Sequence, residues 1–186
     1  MDTFTIRAAP GTDIWRKPPQ IDDFNEKYDQ GGILLSLTKP KAGSGTGDAD
    51  GGSPPKWIKA GVEFYENKEM LSTVACDRWA DWSIAALPAS AGTGAGAGGS
   101  EKTWTTLLVE RGGPGEEGTG LSLWVYHVLE NGTKTPMREI AWVFGEDGGA
   151  GWEVEVTAMA ARPDPEKTAT TELEVEVRGF DVKWKE

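Results

Sequence analysis

The residues best suited to chemistry lie in the run Asp77-Arg-Trp-Ala-Asp-Trp82. Trp79 and Trp82, three positions apart, are interleaved with Asp77, Arg78 and Asp81. An indole ring stacks on the apolar face of a pyranose, and charged groups beside it exchange paired hydrogen bonds with neighbouring hydroxyls, so this composition suits a sugar site. It suits a structural corner as well, with both indoles packed and Arg78 bridging Asp77 or Asp81. A second set is Trp15-Arg-Lys-Pro-Pro19. Its two prolines fix an extended path that either presents Trp15 and Arg16 at the rim of a cleft or plugs a sheet edge with them.

A third set comes from a hairpin predicted over residues 57–76. With Asn67-Lys68 at the two-residue turn, where Asn suits a positive φ, Phe64 pairs with Leu71, Val62 with Thr73, Glu63 with Ser72 and Lys59 with Cys76. One face is then apolar, and the other carries Lys59, Glu63, Ser72 and Cys76. His127 is the sole histidine and ends an apolar strand. Alternation puts it with Leu123 and Val125, with Trp124 and Tyr126 on the other face. Such a histidine serves packing; brought against Glu63 or Asp77 in a pocket, it would have a raised pKa and could do acid–base work. Lys59 beside Cys76 would lower the thiol pKa, although a strand cysteine is ordinarily a small buried hydrophobe.

These side chains need elements to hold them, and the chain is rich in strand signals. The segments 33–37, 57–65, 70–76, 104–110, 121–129, 139–144, 152–160 and 172–184 favour β-branched and aromatic residues. Trp152-Glu-Val-Glu-Val156 and Glu172-Leu-Glu-Val-Glu-Val177 alternate acidic with apolar, the period of a half-buried strand. Residues 121–128 are apolar on both parities and predict a strand covered on both sides. No helical stripe exceeds about two turns. The expected fold is all-β, an antiparallel β-sandwich of about ten strands. Residues 39–56, 89–100 and 112–120 are dominated by Gly, Ser, Pro and Asp and read as loop insertions in one domain spanning 1–186.

Composition narrows the function classes. There are 30 Asp plus Glu against 19 Lys plus Arg, a net charge of −11, which argues against nucleic acid and against anionic membrane as partners. One Cys excludes an internal disulfide framework and favours a reducing, cytoplasmic setting. One His and one Cys are too few for a metal site built on those ligands, and no Gly-rich loop precedes a helix, so neither metal nor cofactor is expected. Asn131-Gly-Thr133 reads as a hairpin turn.

The run Lys56-Trp-Ile-Lys-Ala-Gly-Val-Glu-Phe-Tyr-Glu-Asn-Lys-Glu-Met-Leu-Ser-Thr-Val-Ala-Cys-Asp-Arg-Trp-Ala-Asp-Trp-Ser83 resembles a fungal group, the "regulation of enolase" proteins. So do Asp13-Ile-Trp-Arg-Lys-Pro-Pro19, Tyr28-Asp-Gln-Gly-Gly32, Arg138-Glu-Ile-Ala-Trp-Val-Phe144 and Ala160-Ala-Arg-Pro163, in the same order, across roughly Phe4 to Val182. These proteins belong to a family of unknown function with a concanavalin A-like lectin/glucanase fold, so the resemblance implies a jelly-roll sandwich. The chain departs from that pattern where only Glu26 and Lys27 separate Asp23-Phe24-Asn25 from Tyr28, which predicts one strand fewer.

The leading expectation is a non-enzymatic protein that binds a carbohydrate or sugar-derived metabolite on one sheet. Trp79 and Trp82 would stack, and Arg78, Asp81, Glu63 and Lys59 would hydrogen-bond the ligand. A regulatory module that meets a metabolic enzyme such as enolase through the acidic face is the alternative. A sugar hydrolase or lyase using Glu63 with His127 or Asp77 is a third, although the E-x-D-x(x)-E pattern of retaining β-glucanases, whose paired carboxylates flank the scissile bond, is absent. Glu153/Glu155 and Glu172/Glu174/Glu176 read instead as a solvated outer face.

Overall fold

The computed structural model describes residues 2–13, 28–39, 55–88, 92–95, 101–112, 120–163 and 170–184. Their strands are β1 (Thr3–Ala8), β2 (Gln30–Thr38), β3 (Lys56–Tyr65), β4 (Lys68–Cys76), β5 (Ala80–Ala86), β6 (Gly92–Ala95), β7 (Glu101–Trp104), β8 (Thr106–Arg111), β9 (Leu123–Val128), β10 (Lys134–Ile140), β11 (Glu153–Ala161) and β12 (Leu173–Arg178). The strands pair antiparallel into a five-stranded sheet in the order β11-β2-β3-β4-β5, a three-stranded sheet β10-β9-β8 and the pairs β1-β12 and β6-β7. The all-β antiparallel sandwich expected from the alternation is the observed fold.

Alternation builds the core. Leu35, Leu37, Ile58, Ala60 and Ala75 leave one face of the five-stranded sheet and meet Leu123, Val125, Ile140 and Val143. Val175 of β12 lies where a side chain on Gly31 would be, 2.6 Å from the position of its Cβ, so β12 rests directly on β2. Trp142 and Trp152 pack against this core while the Lys56 ammonium sits 5.6 and 4.8 Å from their ring centroids. At that end Lys56 also pairs with Asp77 at 3.0 Å and Glu146 at 3.5 Å.

Several boundaries differ from the sequence reading. The β3–β4 turn is Glu66-Asn67, at φ 48° and 60°, rather than Asn67-Lys68. Every cross-strand pair is thereby displaced by two: Glu63 faces Met70, Lys59 faces Val74 and Cys76 faces Trp57. A shift of two preserves the faces, so the apolar side still enters the core. Residues 92–95, expected in a loop, form β6 against β7. The strand expected over 139–144 is instead β10, which ends at Ile140; residues 141–146 turn, and their apolar side chains Trp142, Val143 and Phe144 close the end of the core. Pro136 is accommodated because β10 is an edge strand with a register shift between Pro136 and Arg138. Strand β12 stops at Arg178, before Gly179 at φ 63°. Strands β1 and β5 were not anticipated. The short junction between Asn25 and Tyr28, on which the expectation of one strand fewer rests, and most of the 39–56 and 112–120 segments lie outside the described residues.

Candidate functional site

The face of the five-stranded sheet turned away from the sandwich core is not an ordinary solvated face. Lys59 and Glu63 alternate with Ile58 and Ala60 along β3 and so point outward, yet each is about 95% buried, as are Gln30 and Ser72. Trp57, Val74 and Cys76 form an apolar cluster on that side with Leu34, Ala80 and Trp82 around it. Beyond the cluster the face turns polar. Ser72 Oγ donates to Glu63 Oε2 at 2.5 Å, and the Trp82 indole N–H donates to the same oxygen at 3.2 Å. Three aromatic rings meet beside that carboxylate: Tyr28 stacks on Tyr65 at 5.9 Å, and Trp82 meets both edge-on, at 5.8 and 5.2 Å. Lys59 and Glu63 flank Gly61, and with Gln30, Gly31, Ser72 and Met159 they line a shallow indentation with room for about one water molecule.

Its floor is made of glycine. Gly61 and Gly32 are cross-strand partners. A Cβ on Gly61 would lie 2.1 Å from the Gly31 carbonyl oxygen, and one on Gly32 equally close to that of Ala60. No other residue lets β2 and β3 approach this closely.

Burial sets the electrostatics. It pushes the Glu63 carboxyl above the ordinary carboxylate value of 4.5, against the opposing effects of the Ser72 hydrogen bond, the Lys59 charge and the Trp82 hydrogen bond. It pushes the Lys59 ammonium below its ordinary value, with the Asp13 and Glu63 charges opposing. A raised carboxyl pKa means that the folded state holds the proton more tightly than the unfolded chain. Below about pH 4.5 both states are protonated and there is no penalty; as pH rises through the folded-state pKa the fold loses stability that a neutral side chain would keep. Glu63→Gln, which resembles the protonated acid, is therefore expected to gain melting temperature over the unmodified protein as pH increases from 4.5 to neutrality. Melting curves at several pH values check this, and a difference independent of pH contradicts it. A buried carboxylate that costs the fold stability at neutral pH is a functional candidate rather than a packing device.

The structure separates the motif that the sequence suggested. Asp77 pairs with Lys56. Arg78 and Trp79 lie exposed in the bend before β5, Trp79 with 46% of its surface free. Asp81 and Trp82 are adjacent in β5 and thus face opposite ways: Trp82 joins Glu63, while Asp81 faces the other sheet and pairs with Arg138 of β10. Asp77 follows Met70, the partner of Glu63, by seven residues, about 23 Å along the strand at about 3.3 Å per residue. The Asp77 to Asp81 group therefore does not converge on Glu63.

His127 shares its face with Val125 of the core, is 2% exposed, and its Nδ1 makes no hydrogen bond among the described residues. The five-stranded sheet stands between it and Glu63, so the expected Glu63–His127 acid–base pair is not formed. Cys76 is fully buried opposite Trp57, not Lys59, and packs in the apolar cluster. Trp15 and Arg16 lie outside the described residues. Lys59, Glu63, Ser72 and Trp82 are the sequence candidates brought together. Tyr65 was missed although it stands two residues beyond Glu63 on the same face; Tyr28 and Gln30 needed the β2–β3 register, which pairs Gln30 with Glu63. Among the described residues no group of three or more His, Cys, Asp and Glu is placed to hold a metal ion, and no helix is long and apolar enough to cross a membrane.

The family described as "Protein of unknown function (DUF1349)" matches residues 20–97. The "Uncharacterized protein AN7484" of Emericella nidulans is 38% identical over a 186-residue alignment that covers 86% of this chain and 77% of the relative. A crystal structure of a functionally unknown protein from Saccharomyces cerevisiae superposes with a TM-score of 0.50 at 18% identity, over 94% of this chain and 83% of that one; likeness at this identity concerns the fold alone.

Proposed function

We propose, from the premise that this chain belongs to the DUF1349 family of proteins of unknown function, that it binds a carbohydrate or sugar-derived metabolite on the outer face of its five-stranded sheet. The observation that carries the proposal is Glu63, a carboxylate held almost wholly out of water beside three aromatic rings and an indentation. Aromatic rings offer a stacking surface for sugar C–H groups, and a fixed carboxylate accepts hydrogen bonds from hydroxyls at the strength of a charged acceptor. Trp82, Ser72, Gln30 and Lys59 complete the polar lining. The concanavalin A-like form of sandwich and kinship with the regulation of enolase proteins belong to the same proposal.

Thermal unfolding in the presence of mono- and oligosaccharides and sugar phosphates tests it. A ligand held at ten times its dissociation constant adds about 1.4 kcal/mol, or roughly 3–6 °C for a chain of this size. At least one sugar is expected to give such a shift, lost in Glu63→Gln; an unchanged transition with every compound contradicts the proposal.

A second reading, a module that docks on a metabolic enzyme such as enolase, is supported by the exposed apolar side chains Phe4, Phe180, Val182 and Trp184, of which Trp184 is 71% exposed. Association through them would survive an increase in salt from about 50 to 300 mM, whereas association through the acidic strands would not.

A further inference from the structure

The apolar–charged alternation that predicts a strand out to residue 184 outruns the strand that forms. Gly179, at φ 63°, donates its N–H to the Asp2 carbonyl at 3.0 Å, the last rung beside the β1–β12 ladder. Beyond it residues 180–184 continue as Phe-Asp-Val-Lys-Trp, and among the described residues their backbone has no backbone partner. Phe180, Val182 and Trp184 are all exposed. Asp181 and Lys183 pair with each other at 3.3 Å while both lie open to water, so they share one side of the segment, as in an extended strand. Phe180 meets Phe4 of β1 edge-on at 6.5 Å, so the apolar side starts from the folded body. An alternating segment with an unpaired backbone is a template for another strand.

We propose that the partner is a second copy of this chain, the two 180–184 segments pairing antiparallel about a twofold axis at Val182. In that register Phe180 stands opposite Trp184 of the second copy, Asp181 opposite Lys183, and Val182 opposite its own equivalent, so each aromatic pair and each ion pair is made twice. The neighbouring registers that keep the faces are excluded by charge: one sets Asp181 against Asp181, the other Lys183 against Lys183. A register between them sets apolar side chains opposite charged ones and splits the apolar face. Parallel pairing in register places like charges side by side. Each copy carries a net charge of −11, and the contact is far smaller than a standard interface, so the dimer is expected to be reversible, with a dissociation constant of about 10–100 µM. Nothing in this pairing involves Glu63 or its surroundings, so it stands or falls apart from sugar binding. It gives Phe180, Val182 and Trp184 a second copy, not a metabolic enzyme, as their occupant.

Sedimentation velocity of the full chain from about 5 to 500 µM tests the pairing. A monomer–dimer equilibrium is expected, and Val182→Lys, which sets two cations on the axis, is expected to weaken it at least about tenfold. Asp181→Lys and Lys183→Asp each set like charges opposite one another twice, and each is expected to weaken self-association at least about fivefold. Mixed in equal amounts, these two variants set unlike charges opposite one another twice, and they are expected to regain the parent affinity within about twofold. All three positions are exposed, so each variant is expected to keep the melting temperature of the dilute parent. A monomer at every concentration overturns the proposal and leaves these apolar side chains to a different protein. A dimer unweakened by Val182→Lys, or charge variants that mixing does not restore, overturns it as well, by putting the contact elsewhere or in another register.

Discussion

Gly61→Ala is expected to destabilise the protein by more than about 3 kcal/mol, the upper end of ordinary overpacking, and to lower its melting temperature by at least 6 °C or so. The added methyl would meet the Gly31 carbonyl oxygen at 2.1 Å and lie 3.1 Å from Gly32 Cα. Both obstacles are backbone, not the movable end of a side chain, so relief requires parting β2 from β3. That parting breaks the central ladder from Gln30–Glu63 to Leu37–Lys56 and removes the floor of the proposed site at the same time. Thermal or urea unfolding measures the loss, and a variant within about 1 kcal/mol of the parent shows that the close approach of β2 and β3 is not a constraint on the fold.

Arg162→Met carries the second large effect. The Arg162 guanidinium grips Asp29 in a fork, Nε to Oδ1 at 3.0 Å and Nη2 to Oδ2 at 2.7 Å, and its Nη1 donates to the Thr171 carbonyl. Both side chains of the pair are mostly buried, at 17% and 24% exposure. One residue thus joins the end of β11, the approach to β12 and the segment carrying Tyr28 and Gln30 into β2. Removing the cation leaves Asp29 desolvated without its partner. Breaking fully buried pairs costs about 3–5 kcal/mol, and the partial exposure here reduces the expectation to about 2–3 kcal/mol, or roughly 4–12 °C. Arg162→Lys is expected to recover little, since a point charge cannot reproduce two parallel hydrogen bonds. Full recovery by lysine in a melting experiment would show that charge alone, not the fork, holds these segments.

The fold was largely legible because alternation is a local signal. Glu153 to Val156 and Leu173 to Val177 announce β11 and β12 without knowledge of any partner. The faces of β3 and β4 were legible even with the turn misplaced by one residue, because a shift of two leaves parity unchanged. What failed depends on contacts distant in sequence. Gly92–Ala95 has no side-chain pattern to read as a strand and is one because β7 pairs with it. Trp142 to Phe144 is apolar because it closes the core, a role that mimics a strand in composition. Within the site, residue type pointed to Lys59, Glu63, Ser72 and Trp82. The burial of that face is a property of the assembled sheet and cannot be read from the alternation of β3 alone. The cluster at Asp77 to Trp82 misled for the converse reason: neighbours in a strand face opposite sides, and Asp81 serves the Arg138 contact while Trp82 serves Glu63.

The central claim is that a ligand binds at Glu63 and Trp82 on the outer sheet face, and the Trp82 indole N–H, which points at the Glu63 carboxylate, reports on that position directly. In nitrogen–proton correlation spectra, with the Trp82 signal assigned by its loss in Trp82→Phe, addition of the sugar that shifts the melting temperature is expected to move the Trp82 indole resonance while leaving those of Trp79 and Trp184 in place. Movement confined to Trp79 or Trp184, with Trp82 unchanged, would contradict the account and put the ligand elsewhere on the surface.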